Sequence, residues 1–92
     1  MSTSPHYEAV KLLARAIHER LMGRSETAEE LINKIFALAG EDERLTDYYP
    51  YFAAHVEMYK VYRDCGREKE ASEYFNKAIK LGATPEQLRA EH

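Results

Sequence analysis

The sequence predicts an all-α protein made of two stacked antiparallel helical hairpins and a short C-terminal helix. Three observations predict it. Apolar side chains recur every three or four residues along most of the 92-residue chain. Its three prolines and four glycines all fall where one helix would end or the next begin. A helix-turn-helix segment also recurs further along the chain, and no segment shows the alternation of a strand.

The first hairpin is predicted over residues 4–40. Its first helix begins at Ser4-Pro5, because serine is a favoured N-cap and proline fits the first helical position. Gly23 ends that helix, and Gly40 ends a second helix predicted over about residues 25–39. The apolar positions of the two helices are Val10, Leu13, Ile17 and Leu21, then Leu31, Ile32, Ile35, Leu38 and Ala39.

The second hairpin is predicted over residues 46–82, after a charged loop over residues 41–46. The third helix begins near Asp47 and accepts Pro50 in its first turn, where an N–H has no intrahelical partner to lose. Gly66 ends it, and the fourth helix runs over about residues 68–81 before Gly82. The third helix carries an aromatic stripe, which consists of Tyr48, Phe52, His55, Tyr59 and Tyr62. The expected buried positions of the fourth helix are Ala71, Tyr74, Phe75, Ala78 and Ile79.

The last helix is predicted over residues 84–91. Thr84-Pro85-Glu86-Gln87 has the form of a capping box, in which the threonine and glutamine side chains satisfy each other's backbone N–H groups. A chain of this length fits one domain, so residues 1–92 are taken as a single unit.

The two hairpins share an internal repeat. Gly23-Arg24 recurs at Gly66-Arg67, 43 residues later, and Ala28 recurs at Ala71. The same offset relates Arg20 to Arg63, Glu30 to Glu73, Asn33-Lys34 to Asn76-Lys77 and Leu38 to Leu81. One helical unit is therefore used twice, and such units stack to share a core.

The second unit resembles a tetratricopeptide repeat. The residues that carry the resemblance are Tyr62, Gly66, Ala71, Phe75 and Ala78. The resemblance implies a right-handed helical array and a protein-binding function. The first unit keeps the glycine and alanine of the turn, at Gly23 and Ala28, but strict alignment places Arg15 and Glu19 in its core. Either the first helix is therefore shifted in register, or the first unit is only loosely similar to the family.

Charge and cysteine content narrow the function classes. The formal net charge of −3 disfavours nonspecific binding to nucleic acid or to an anionic membrane surface. Cys65 is the single cysteine, so no intrachain disulfide forms, and no signal peptide is visible. A cytoplasmic protein is the expectation.

Three surfaces are candidates for binding. The apolar positions of the first helix, Val10, Leu13, Ile17 and Leu21, are either core or, in a tetratricopeptide-like arrangement, the lining of a concave groove. Arg20, Lys60 and Arg63 are either ordinary solvated charges or a basic groove for an acidic or C-terminal peptide. The tyrosines of the third helix are either core or a binding surface, with Tyr48 and Tyr49 expected to be exposed.

No catalytic or metal-binding motif stands out. The histidines form no pair at ligand spacing, Cys65 has no cysteine or histidine cluster around it, and no cofactor is implied. The expected function is a non-enzymatic protein-interaction module acting as an adaptor, chaperone or regulator. Two hairpins leave uncovered faces where stacked repeats usually number about three, so a homodimer or a protein partner is expected. A nucleic-acid-binding regulator and a small helical enzyme or metal-binding bundle are the alternatives.

Overall fold

The computed structural model describes residues 4–41 and 48–90, which form five α-helices and no strand. The helices are α1 (Pro5–Leu21), α2 (Ser25–Glu41), α3 (Tyr49–Asp64), α4 (Glu68–Lys80) and α5 (Pro85–Arg89). α1 packs against α2, α3 packs against α4, and α3 also contacts α1, α2 and α5. The prediction of an all-helical chain is confirmed, and α3 is its central element.

The predicted helix starts are confirmed where they are described. The hydroxyl of Ser4 accepts a hydrogen bond from the backbone N–H of Tyr7 at 3.2 Å. At α5, Thr84 and Gln87 form the predicted reciprocal capping box. The start expected near Asp47 and most of the predicted loop over residues 41–46 lie outside the described residues; α3 itself begins at Tyr49, with Pro50 in its first turn.

The turns of the two hairpins have the same backbone structure. Gly23 and Gly66 adopt positive φ values of 82° and 78°, a region that side chains with a Cβ rarely enter. The N–H of Arg24 donates to the carbonyl of Glu19 at 2.8 Å, and the N–H of Arg67 donates to that of Tyr62 at 2.9 Å. These bonds satisfy the last carbonyls of α1 and α3 in the same way.

Gly40 does not end its helix, and this prediction is wrong. It lies inside α2, which runs on to Glu41, and its φ is not positive. The positive φ is what makes glycine a helix stop, so a glycine that keeps helical φ and ψ lets the helix continue.

The core lies mainly between the two hairpins. Its fully buried side chains include Ile32 and Ile35 of α2 and Met58 and Val61 of α3. The repeated alanines Ala28 and Ala71 are both buried just after the turns, where a small side chain lets two helices approach closely. A second cluster joins α3 to the C-terminal end through Ala78, Ala83 and Leu88, with Phe52, Val56, Tyr59 and Phe75 packed against it.

Two predicted core faces need correction. The buried face of α1 consists of Ala9, Leu13, Ala16 and Arg20, whereas Val10 and Leu21 are 43% and 56% exposed. Ile79, expected in the core face of α4, is also exposed. The buried face of α1 therefore combines two alanines with Leu13, while the larger side chains of Val10 and Leu21 lie outside it.

Candidate docking groove

A groove with a volume of about 370 Å³ runs between α1, α3 and α5. Most of its lining comes from α3, with one side chain of α1 on one side and the end of α5 on the other. The residues that line it are Ile17, Tyr49, Phe52, Ala53, Val56, Glu57, Lys60, Gln87 and Ala90. Its size falls in the range of small binding sites, about 300–1,000 Å³.

The groove is apolar along most of α3 because of the helix period. Tyr49, Phe52, Ala53 and Val56 are three or four residues apart and so share one face of α3. The opposite face, with Ala54, Met58 and Val61, is buried in the main core. α3 therefore has apolar side chains on two faces. One is buried in the main core, and the other lines the groove and also packs against the second cluster through Phe52 and Val56.

Charged residues lie at the end of the groove nearest the hairpin turns. Arg20 of α1 is buried and forms an ion pair with Glu57 of α3, with 2.6 Å between Nε and Oε2. A second N–H group of Arg20 donates to Asp64 at 3.2 Å. Burial alone lowers the pKa of Arg20, but the hydrogen bonds and charges of Glu57 and Asp64 outweigh burial and raise it. The guanidinium is thus held permanently charged and fixes α1 against α3.

Lys60 lies among these charges and is 3% exposed. Burial is the main cause that lowers the pKa of Lys60, and the nearby charge of Glu57 partly offsets it. Arg20 and Arg63 lower the pKa of Lys60 further, because like charges disfavour its protonated form. The groove therefore ends in a group of three cations and two carboxylates inside a chain whose overall charge is negative.

Arg63 differs from Arg20 in its surroundings. Its side chain is 30% exposed and pairs with Asp64, the next residue, at 2.9 Å. It also donates to the carbonyl of Leu88 in α5 at 3.4 Å and lies over the ring of Tyr59. Arg63 therefore helps to hold α5 against α3.

The residues predicted for partner binding divide into two sets. Ile17 and Lys60 line the groove, and Arg20 and Arg63 flank its charged end through their contacts with Glu57 and Asp64. Val10 and Leu21 are exposed on α1, whereas Leu13 is in the core. Interpreting Arg20 and Lys60 as ordinary solvated charges is wrong, since both are buried.

Sequence reasoning missed most of the apolar lining. Phe52 belongs to the predicted aromatic stripe. The residues predicted for partner binding do not include Ala53, Val56, Gln87 or Ala90. The signal was present in the spacing of Tyr49, Phe52, Ala53 and Val56, which marks a second apolar face on a helix that already has one. The contribution of α5 depends on how the last helix folds back, which spacing does not specify.

The rest of the aromatic stripe packs away from the groove. His55 is buried and its ring centre lies 4.6 Å from those of Phe36 and Tyr51. Burial lowers the pKa of His55, although its Nδ1 is 3.0 Å from the carbonyl of Tyr51. Tyr62 is also buried, its hydroxyl donates to Glu29 of α2, and burial together with that bond raises its pKa.

The two tyrosines at the start of α3 are exposed, as expected. Tyr48 is 46% exposed and Tyr49 is 71% exposed, which confirms that prediction. Cys65 is exposed at the end of α3. Among residues 4–41 and 48–90, no group of three or more histidines, cysteines or carboxylates is placed to hold a metal ion. Within the same ranges, no helix combines the length and apolarity needed to cross a bilayer.

Comparison with known protein families, with curated proteins and with solved structures returned no match. The functional argument therefore depends on the groove and on the surfaces beside it.

Proposed function

We propose that the chain is a non-enzymatic protein-interaction module that binds a helix or an extended segment of another protein in the groove between α1, α3 and α5. The observation that carries the proposal is the second apolar face of α3, which is only partly covered by α1 and α5. A contiguous apolar surface with a few fixed polar groups is the usual form of a site that takes a peptide or helix.

The charged end of the groove supports a polar contact with the bound segment. Arg20, Glu57 and Asp64 are held by one another, so their positions are set before any partner arrives. Pre-positioned groups lower the entropy cost of binding, because no side chain has to be ordered at that moment. The apolar part of the groove supplies the affinity and the charged end fixes the direction of the segment.

A tetratricopeptide-like stacking of the hairpins is part of the proposal. It is supported by the matching turn geometry at Gly23 and Gly66 and by the burial of Ala28 and Ala71. It is also supported by the order of contacts, in which α3 touches both helices of the first hairpin. In such an array the first helix of each hairpin lines the concave side, and α1 and α3 are the helices that line this groove. An adaptor, chaperone or regulator in the cytoplasm fits this proposal, as does self-association of the chain.

A photo-crosslinking experiment tests the groove. Tyr49 is replaced by p-benzoylphenylalanine, which preserves an aromatic ring at an exposed position that lines the groove. The matched control carries the same residue at Asn76, an exposed position of α4. After irradiation in cells, we expect adducts from position 49 and few from position 76, with the mass of each adduct separating self-association from a different partner.

A blocking variant completes the test. Ala53→Arg in the position-49 protein places a long cation in the groove, and we expect the adducts to be lost while the helical circular dichroism spectrum is unchanged. Ala37→Arg, on an exposed part of α2, is the control and is expected to keep them. Equal labelling from positions 49 and 76, or adducts that persist with Ala53→Arg, would overturn the proposed function.

A further inference from the structure

The outer surface of α1 carries an uncharged apolar seam. The α1 seam consists of Tyr7, Val10, Ala14, Ile17 and Leu21, whose spacing alternates between three and four residues. That alternation keeps all five side chains in one line along the helix, the arrangement through which two helices pack side by side. The buried face of α1 lies beside this line, so the seam is a second apolar face of the helix.

Four of the five seam residues are accessible to another molecule, whereas Ile17 is half-buried. Tyr7 and Leu21 are each 56% exposed, Val10 is 43% exposed and Ala14 is exposed. Tyr48 and Tyr49 continue the surface, since the ring of Tyr48 lies 5.0 Å from that of His6 and Tyr49 lines the groove together with Ile17.

The area of this surface is that of an interface. With about 150–250 Å² for a whole aromatic side chain, the seam and the two tyrosines present on the order of 600 Å². The largest apolar patch on a typical monomer is about 300–600 Å². A stable dimer of standard size buries about 800 Å² on each partner, most of which the seam supplies together with Tyr48 and Tyr49 and which its rim can complete.

The order of side chains along the seam is symmetric about its smallest member. Tyr7 and Leu21 lie seven residues on either side of Ala14, about 10 Å along the helix axis. Val10 and Ile17 lie four and three residues away. A two-fold axis at Ala14 therefore sets Tyr7 against Leu21 of the second copy and Val10 against its Ile17, while the two alanines let the helices approach at the centre. An interface between identical chains requires this kind of self-complementary surface.

We propose that the chain forms a homodimer in which the α1 seams of two copies pack antiparallel about Ala14. This inference rests on the proposed self-association and names its surface; the groove proposal does not depend on it. The pairing buries no charged side chain, because none of the seam residues is charged and Lys11 lies at the rim over the Tyr7 ring. The contact therefore carries no large cost of removing charge from water.

The first test is solution mass by light scattering over a series of concentrations. The wild-type chain is expected to approach twice its monomer mass of 10.7 kDa. Ala14→Glu sets two carboxylates against each other on the two-fold axis and is expected to give the monomer mass at every concentration. Ala37→Glu makes the same change at an exposed position of α2 and is expected to remain dimeric. Helicity and melting temperature, measured for both variants, separate loss of the dimer from loss of the fold.

The second test fixes the direction of pairing. In a Cys65→Ser background, Ala14→Cys is expected to give a disulfide-linked dimer under mild oxidation. Val10→Cys alone is expected to give little, and a mixture of Val10→Cys and Ile17→Cys chains is expected to give the mixed dimer.

The outcomes are distinct. A wild-type chain that stays monomeric at all concentrations overturns both self-association and the seam. A dimer that persists with Ala14→Glu overturns the seam alone, as does efficient crosslinking of Val10→Cys with itself, which requires parallel helices or a two-fold axis at Val10. If position 49, without Ala53→Arg, gives no adduct with another protein while the chain still dimerises, only the groove proposal is overturned.

Discussion

The two hairpins share a turn but differ in the surroundings of the arginine that precedes it. Arg20 is buried and bound to Glu57 and Asp64, whereas Arg63, at the matching position, is 30% exposed and pairs with its own neighbour. The difference follows from position in the chain. α1 packs one side against α3, so Arg20 reaches carboxylates of the second hairpin, whereas the matching side of α3 meets the short helix α5. The two arginines occupy equivalent positions of the repeat, but they have different partners because a different helix follows each hairpin turn in space.

The largest expected effect comes from removing these arginines one at a time. Arg20→Ala leaves Glu57 buried without its partner, and we expect a loss of about 3–5 kcal/mol in the free energy of unfolding. Arg63→Ala removes a largely solvated pair and is expected to cost about 0–1 kcal/mol. Urea unfolding followed by circular dichroism measures both. Equal losses of stability in the two variants would show that burial does not make Arg20 contribute more than Arg63.

A double variant sharpens this comparison. Replacing Arg20 with methionine and Glu57 with leucine together removes both members of the buried ion pair and retains a similar volume, and Lys60 is then the remaining buried charge. We expect most of the loss to be recovered, because a buried ion pair replaced by packed apolar side chains is often neutral or stabilising. A double variant as unstable as Arg20→Ala would show that the fold needs the charges themselves.

The next largest effect is the loss of stability on replacing the turn glycines, which should be similar in the two hairpins. Gly23→Ala and Gly66→Ala each place a Cβ on a residue with positive φ, although nothing lies within 4 Å of that Cβ. The cost is conformational alone, so we expect similar losses of about 1–2 kcal/mol in the free energy of unfolding. Gly40→Ala, in helical conformation, is expected to be neutral or stabilising. A loss at only one of the two turns would contradict their equivalence.

The smallest effect concerns pH and is specific to the second hairpin. His55 is buried among Phe36, Tyr51 and Tyr74, and the matching position of the first hairpin is Leu12. Because the pKa of His55 is lowered on folding from 6.5, the unfolded chain binds the proton more readily. Its contribution to stability is therefore complete above pH 6.5 and declines as the pH falls through the lowered pKa.

Unfolding measured at several pH values tests this sign. The wild-type chain is expected to lose stability between neutral and mildly acidic pH, and His55→Leu is expected to show a smaller slope. His18→Gln, at an exposed position of α1, is the control and should leave the slope unchanged. A slope that is the same in the wild type and in His55→Leu would contradict the role assigned to the buried ring.

Most of the helices could be predicted from the sequence, because their ends are marked by local chemistry. Ser4, Gly23, Gly66 and Thr84 act through their own backbone and near neighbours. Gly40 shows the limit of this reasoning, since glycine permits a helix stop without requiring one.

The candidate groove could be predicted only in part. Ile17, Lys60 and the arginines were singled out, but which face of α1 is buried could not be decided from spacing alone. Ala9 and Ala16 lie on the buried face of α1 because close packing against α2 and α3 favours small side chains there. A pattern of hydrophobic residues does not indicate where helices pack this closely. The pairing of Arg20 with Glu57 joins residues 37 positions apart, and no local pattern specifies such a contact.

The five-residue helix α5 has a consequence for how the groove behaves over time. A segment this short does not hold helical form by itself, because helix nucleation is unfavourable. Its order comes from the Thr84 cap and from Leu88, which is fully buried in the second cluster. Gln87 and Ala90, on either side of that anchor, form one wall of the groove. We therefore expect this wall to open more readily than the four longer helices, and a segment bound against it to slow the exchange of its amide hydrogens with solvent.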